Sequence, residues 1–220
     1  MDRIVEAYIG EYASGKSEVA INRALELHSQ GREVKLVDLD LVEPFYTLRP
    51  IKSQLEERGL KVVALETRGN VGLGETGSLF RPEMKWALKN GGDVILDVGY
   101  GVDGATALNL VEGASEEQAL KKIVVLNVAR PITGSLEAII EFVQSLGEVD
   151  GLINNSHLGN ETDIEIILEG AKLVTKAAEQ LGVPFIATTV AREFAHLVDE
   201  IDQIGNPVKI IDLFMHNAYW

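Results

Sequence analysis

The sequence predicts an α/β fold, a mainly parallel sheet with helices on both faces, carried by 220 residues read as one domain over 1–220. Three observations predict it. Apolar runs of strand length alternate with stretches of helical period, and the first of these strands runs into a glycine-rich turn that opens a helix. Hydrophobic residues at 46% against 25% charged supply enough Val, Ile and Leu for a packed sheet.

Arg3 to Ile9 reads as a short buried strand, and Gly15 to Gln30 as a helix whose apolar positions are Val19, Ala20, Leu25 and Leu27. Gly31 stops that helix. Glu33 to Asp40 is a second strand that ends on two carboxylates, Asp38 and Asp40. Pro44 and Pro50 bracket a loop, Ile51 to Arg58 is a short helix, and Lys61 to Leu65 is a third strand. Arg68 to Ser78 carries Gly69, Gly72, Gly74 and Gly77 and reads as a loop, either a lid or partner-binding element or simple flexible chain.

Pro82 to Asn90 suggests a helix, while Asp93 to Val98 and Lys122 to Val128 are continuous apolar runs suited to a sheet covered on both faces. Helices over Gly134 to Leu146, Asp163 to Leu181 and Ala191 to Ile201 alternate with strands over Gly151 to Asn154 and Pro184 to Val190. Pro207 to Phe214 is an edge strand. Ligands of such a sheet sit at the carboxyl ends of its strands.

Acidic residues outnumber basic ones 34 to 20, for a formal charge of -14, and such a surface repels nucleic acid and anionic lipid alike. Neither direct nucleic-acid binding nor membrane association is expected. With no cysteine, the chain offers no disulfide, no thiolate zinc site and no iron–sulfur ligation. A strand pattern begins within a few residues of Met1 and no membrane-length apolar run follows, so a cytoplasmic location is expected.

Gly10-Glu11-Tyr12-Ala13-Ser14-Gly15-Lys16-Ser17 fits G-x-x-x-x-G-K-[ST] between a strand and a helix, the context in which this motif cradles nucleotide phosphates. Glycines let backbone N–H groups turn toward one anion, and the helix N-terminus adds positive partial charge. Lys16 would meet the β- and γ-phosphates and act in catalysis, Ser17 would lend its hydroxyl to Mg²⁺, and Glu18 closes the binding stretch. Tyr12 is bulky for this turn and would cover a phosphate or a base edge, or stand exposed.

A strand-end carboxylate must complete the Mg²⁺ shell, and Asp97, followed by Gly99 and Gly101, is in place for it. Asp38 and Asp40, two apart on a strand, share a face; Asp38 is assigned to the Mg²⁺ side and Asp40 to the water that attacks the γ-phosphate. Arg49, Arg68 and Arg81 lie in loops near the same end, where any of them can neutralise transition-state charge or simply be solvated. His157 borders the base region, whereas His28, His196 and His216 are isolated, with no metal-site spacing.

At these residues the sequence resembles the MinD/ParA group of P-loop ATPases, which also includes the CobQ/CobB-like members. The likeness is carried by the P-loop, by Asp38-Leu39-Asp40, by Asp97 to Gly101, and by Asn154 or Asn155 where the family places an adenine-contacting side chain. It implies a P-loop NTPase fold, ATP/ADP and Mg²⁺ as ligands, slow hydrolysis, and nucleotide-controlled association as a homodimer or with a protein client. The family's early P-loop lysine, which reaches a partner's nucleotide, has no counterpart between Gly10 and Ala13, so a lysine-completed dimer is not carried over. Asn154-Asn155-Ser156-His157 does not supply the N-K-x-D motif of a GTPase, which favours ATP. Two other readings stay open: a sensor that binds nucleotide without hydrolysing it, and an ATP-dependent ligase or transferase of the CobB or dethiobiotin synthetase type, with Arg68 to Ser78 receiving the second substrate.

Overall fold

The computed structural model describes residues 2–41, 48–64, 80–89 and 91–215. The predicted loop at Arg68 to Ser78, Pro44, and His216 lie outside the described residues. Among the described residues eight strands form one sheet in the order β3-β2-β4-β1-β5-β6-β7-β8, with each neighbouring pair parallel. They are β1 (Val5–Gly10), β2 (Val34–Leu39), β3 (Lys61–Val63), β4 (Asp93–Tyr100), β5 (Leu120–Leu126), β6 (Gly151–Asn154), β7 (Phe185–Ala191) and β8 (Val208–Ile211). The helices are α1 (Lys16–Ser29), α2 (Lys52–Glu57), α3 (Pro82–Lys85), α4 (Gly101–Ala105), α5 (Leu136–Ser145) and α6 (Ile164–Leu181). Among the described residues no helix is long and apolar enough to cross a membrane.

The side-chain period of two divides the core between the two faces of the sheet. On one face Val5, Ala7 and Ile9 of β1 and Val94, Leu96 and Val98 of β4 pack with Ile139 and Phe142 of α5 and Val174 and Ala177 of α6. On the other, Tyr8 and Ile95 meet Val19, Ala20, Ile21, Ala24 and Leu27 of α1, with Leu55 of α2. The central strands are therefore mainly apolar on both faces, as a sheet covered on both sides requires, with Asp38, Asp97 and Asn154 at or near their carboxyl ends. Caps set the helix ends. Ser135 Oγ accepts the Ala138 N–H at 3.2 Å to open α5, Asp163 Oδ1 accepts the Ile166 N–H at 2.9 Å to open α6, and left-handed Gly182 closes α6.

Two predicted helices differ, and one helix was not predicted. The helix expected over Ala191 to Ile201 is a 3-10 turn at Arg192–Leu197; none of its residues is buried, and a short segment with no apolar face to pack has little to hold it helical. The helix expected over Pro82 to Asn90 ends at Lys85, whose carbonyl is taken at 2.8 Å by the distant Glu112 N–H while the Lys89 N–H turns back to Trp86. A helix not foreseen, α4, begins at Gly101 with φ +68.

That helix lies directly on the end of β4. A Cβ at Gly104 would come within 2.2 Å of the Gly99 carbonyl carbon and 2.4 Å of its oxygen. Gly104→Ala is expected to push α4 off the strand end and destabilise the protein by about 1–3 kcal/mol. A chemical-denaturation midpoint unchanged from wild type would show that α4 yields without cost.

The strand order places β1 where the connections reverse direction, with β4 on one side and β5 on the other. A crevice opens at such a switch point, at the carboxyl ends of the strands. The Gly10 to Ser17 turn sits in it.

Candidate functional site

Gly10 ends β1 so close to β5 that a Cβ there would meet the Val125 carbonyl oxygen at 2.4 Å. From it the chain turns through Ala13 (φ 56), the only non-glycine with positive φ among the described residues, and Gly15 (φ 80), which caps α1. Alternating left-handed residues let successive N–H groups converge on one hollow, and α1 points its N-terminus at the same place. The Ser14 N–H bonds the Glu11 carbonyl at 3.2 Å and closes the turn. Ser14 Oγ is buried with no hydrogen-bond partner among the described residues.

Lys16 is buried and its Nζ donates to the Glu11 carbonyl at 3.1 Å. Burial lowers its pKa, and Asp97, Asp40 and Glu11 work against that fall. Asp97 of β4 is directly in register with Asp38 of β2, and both are 1% exposed. Neither Asp97 oxygen receives a hydrogen bond of standard geometry from the described residues. Burial first and Asp38 second push its carboxyl up to about 8, with the Ser17 hydroxyl and Lys16 pulling the other way. Two adjacent carboxylates in a dry site repel unless a cation joins them.

Asp40 lies beside this pair. Its N–H donates to Asp38 Oδ1 at 3.0 Å, and its carboxylate sits against the close approach of Gly99. Arg49 ties the group together, with Nε 3.5 Å from Asp38 Oδ2 and an Nη2 bond of 2.8 Å to the Asp40 carbonyl. Of the three arginines singled out from the sequence, Arg49 is thus a buried brace of the acidic strand end, Arg68 lies outside the described residues, and Arg81 leads into α3.

The donors around Asp97 suit a hard cation. Mg²⁺ takes one or two carboxylates, water and phosphate oxygens rather than a cage of side chains. Among the described residues no group of three or more His, Cys, Asp or Glu forms such a cage, whereas two unpartnered buried oxygens beside a serine hydroxyl are what a shared cation needs.

On the other side of Gly15 a cavity of about 190 Å³ opens between the ends of β6, β7 and β8, lined among others by Asn155, His157, Phe194, Leu213 and Met215. Asn155 Nδ2 donates to the Ser14 carbonyl at 2.7 Å, and its Oδ1 accepts from Thr189 Oγ1. Asn154 is fully buried beneath. Its amide donates to the Ile167 carbonyl at 3.0 Å and its Oδ1 accepts from Ser156 Oγ at 2.6 Å, which leaves it no face toward a ligand. The pleat sends neighbouring side chains to opposite sides, so of the two asparagines only Asn155 borders the cavity.

Two further residues of the stretch from Gly10 to Glu18 take definite places. Glu18 lines the cavity, and its carboxylate accepts the N–H groups of Phe214 and Met215, so its side chain holds residues 214–215. Tyr12 is 41% exposed and meets Tyr100 edge to face at 5.5 Å, on the side of the Asp97 strand end and away from the cavity. His28 is packed against Gly59.

Sequence reasoning missed Asn127 and Arg130. Asn127, fully buried at the end of β5, donates to the Ala13 carbonyl at 3.3 Å and to the His157 carbonyl at 3.0 Å, so it stitches the phosphate turn to the wall of the cavity. Its signal was a lone amide closing an apolar run. Arg130 Nε is buried without a hydrogen-bond partner among the described residues. Burial foremost, and the Arg130 charge next, depress the His157 pKa to about 4, so its imidazole is neutral at pH 7.

No family model matches the chain. No curated protein matches it either. Solved structures do. The signal recognition particle receptor FtsY of Elizabethkingia anophelis is 16% identical with a TM-score of 0.58, covering 85% of this chain and 58% of its own. The cell division protein FtsY of Thermotoga maritima is 15% identical with a TM-score of 0.59, covering 86% and 62%. The signal recognition particle 54 kDa protein of Aeropyrum pernix K1, solved in complex with GDP, is 17% identical with a TM-score of 0.55, covering 84% and 41%. The chain spans less than two thirds of the length of each of these proteins. At such identity the likeness is one of architecture, and the architecture that this chain shares with them is the P-loop NTPase fold.

Proposed function

We propose that this protein, as one nucleotide-binding domain, binds ATP with Mg²⁺ and hydrolyses it slowly, acting as a nucleotide switch of the MinD/ParA type. One observation carries the reading: a buried lysine and two in-register buried aspartates, one of them without a hydrogen bond of standard geometry among the described residues, meet at a G-x-x-x-x-G-K-S turn that opens a helix. In it the turn's N–H groups and Lys16 hold the phosphates, and Asn155 with His157 borders the base. Ser17, Asp38 and Asp97 hold Mg²⁺, which when bound neutralises charge on the phosphates. Asp40 orients water toward the γ-phosphate. Support comes from the fold and from the GDP bound in one architectural neighbour. That GDP makes GTP the necessary comparison for every ATP measurement.

Calorimetry with purified protein, Mg²⁺ and ATP or GTP tests it. Ligand at 100 times its Kd is expected to stabilise the fold by about 2.7 kcal/mol, and absence of both heat and thermal stabilisation with either nucleotide would sink the proposal. Asp40→Ala is expected to leave binding intact while phosphate release falls ~100-fold or more, in the range that general acid–base groups contribute. Wild-type turnover in that variant removes Asp40 from the mechanism. If wild-type protein binds nucleotide and releases no phosphate, the switch is driven by occupancy alone. Light scattering with and without nucleotide tests the expected association with a second copy.

A further inference from the structure

Leaving β8 at Ile211, the chain crosses the first turns of α1, the helix that begins at the phosphate loop. Among the described residues no sheet ladder holds it there; side chains of α1 do, together with Arg192, whose guanidinium pairs with the Asp212 carboxylate. Asn22 brackets the Asp212 peptide, donating to its carbonyl at 2.8 Å and accepting its N–H at 2.9 Å. One turn earlier the Glu18 carboxylate accepts the N–H of Phe214 at 2.9 Å and of Met215 at 2.7 Å. Bonds from backbone N–H to a carboxylate are about twice as strong as neutral ones, and Glu18 in the first turn of α1 also meets the favourable end of the helix dipole.

The segment alternates. Phe214 turns inward and is 5% exposed in the core shared with α1 and α2, where the Arg58 guanidinium lies 4.8 Å from its ring centroid. Leu213 and Met215 line the 190 Å³ cavity beside Gly15 instead, and Leu213 is 45% exposed. An apolar side chain left open at the rim of a cavity flanked by a neutral imidazole suits a flat, uncharged ring.

We propose that Glu18 and Asn22 clamp residues 212–215 so that Leu213 and Met215 form the apolar wall against which the nucleobase packs; this rests on the nucleotide reading above. Glu18 is thereby a positioning residue for the base. Occupancy of the base cavity and docking of the C-terminal segment stabilise each other reciprocally. The wall contributes to nucleotides and nothing to a bare phosphate chain.

Calorimetry of wild type, Glu18→Ala, Glu18→Gln and Leu213→Ser with Mg²⁺ and ATP, GTP or inorganic tripolyphosphate decides it. Glu18→Ala and Leu213→Ser are expected to weaken nucleotide about 10-fold, the scale of one lost apolar contact, with tripolyphosphate affinity changed less than about 2-fold. Glu18→Gln, which keeps one accepting oxygen, is expected to fall between wild type and Glu18→Ala. Leu213 is exposed, so its replacement tests the wall even if Glu18→Ala fails to fold. Equal weakening of nucleotide and tripolyphosphate, or nucleotide affinity untouched in Leu213→Ser, overturns the proposal. A wild-type protein that binds neither ligand overturns the nucleotide reading itself, and the base wall with it.

Discussion

Lys16→Ala is expected to weaken nucleotide binding at least ~100-fold, about 2.7 kcal/mol, the scale of charge-assisted contacts to phosphate lost from a dry site. The ammonium is buried and bonded to the loop's own Glu11 carbonyl, so the loop already holds it where an anion in the turn would meet it. Its loss also leaves Asp97 and Asp40 without the cation that opposes their repulsion. Lys16→Met keeps most of the volume and separates packing from charge. Calorimetry on both variants should show the same loss, and retained affinity in either would place the phosphates elsewhere.

Asp97→Asn is expected to act in opposite directions on binding and on stability. In the metal-free protein, burial and Asp38 hold the Asp97 carboxyl at about 8, against an ordinary 3.8. Between those two values the folded state keeps a proton that the unfolded state has released. Stability therefore falls as pH rises through this window, with a slope of up to about 1.4 kcal/mol per pH unit. The amide removes the slope, so the variant should gain stability on wild type as pH rises from about 4 to about 8, by up to about 1.4 kcal/mol per pH unit. Under the proposed function the same change takes one carboxylate oxygen from the Mg²⁺ site. Nucleotide affinity in the variant should then lose most of its dependence on Mg²⁺.

His157 gives the opposite sign. Its folded pKa of about 4 lies below the ordinary 6.5, so between those values the unfolded state binds the extra proton and stability rises with pH. From pH 4 to 6.5 the two groups oppose each other, and the Asp97 contribution is best read as the difference between wild type and Asp97→Asn. Denaturation curves from pH 5 to 8 that run parallel for the two proteins would refute the buried-carboxylate account.

The parts of the site legible in the sequence are those whose signals are local. The turn from β1 into α1 declares itself because a strand period, a helical period and a glycine-lysine-serine pattern follow one another within a few residues. Asp38 and Asp97 were legible as strand-end carboxylates. Their register was not, because β4 enters the sheet between β1 and β2 only after β3 has formed the edge. From its loop position alone Arg49 reads as either a transition-state cation or a solvated side chain, whereas it is a buried brace for Asp38 and the Asp40 carbonyl.

What the sequence determined by itself is the architecture and the Gly10 to Ser17 turn between β1 and α1, since alternating periods and a contiguous motif depend on neighbours along the chain. The tertiary structure alone decided the far side of the site. Asn155 rather than Asn154 borders the cavity, Asn127 stitches the Gly10 to Ser17 turn to His157, and the Glu18 carboxylate holds residues 214–215. These roles depend on which side of a pleat a residue falls and on which distant backbone groups lack a partner, and both are settled only when the strands take their order.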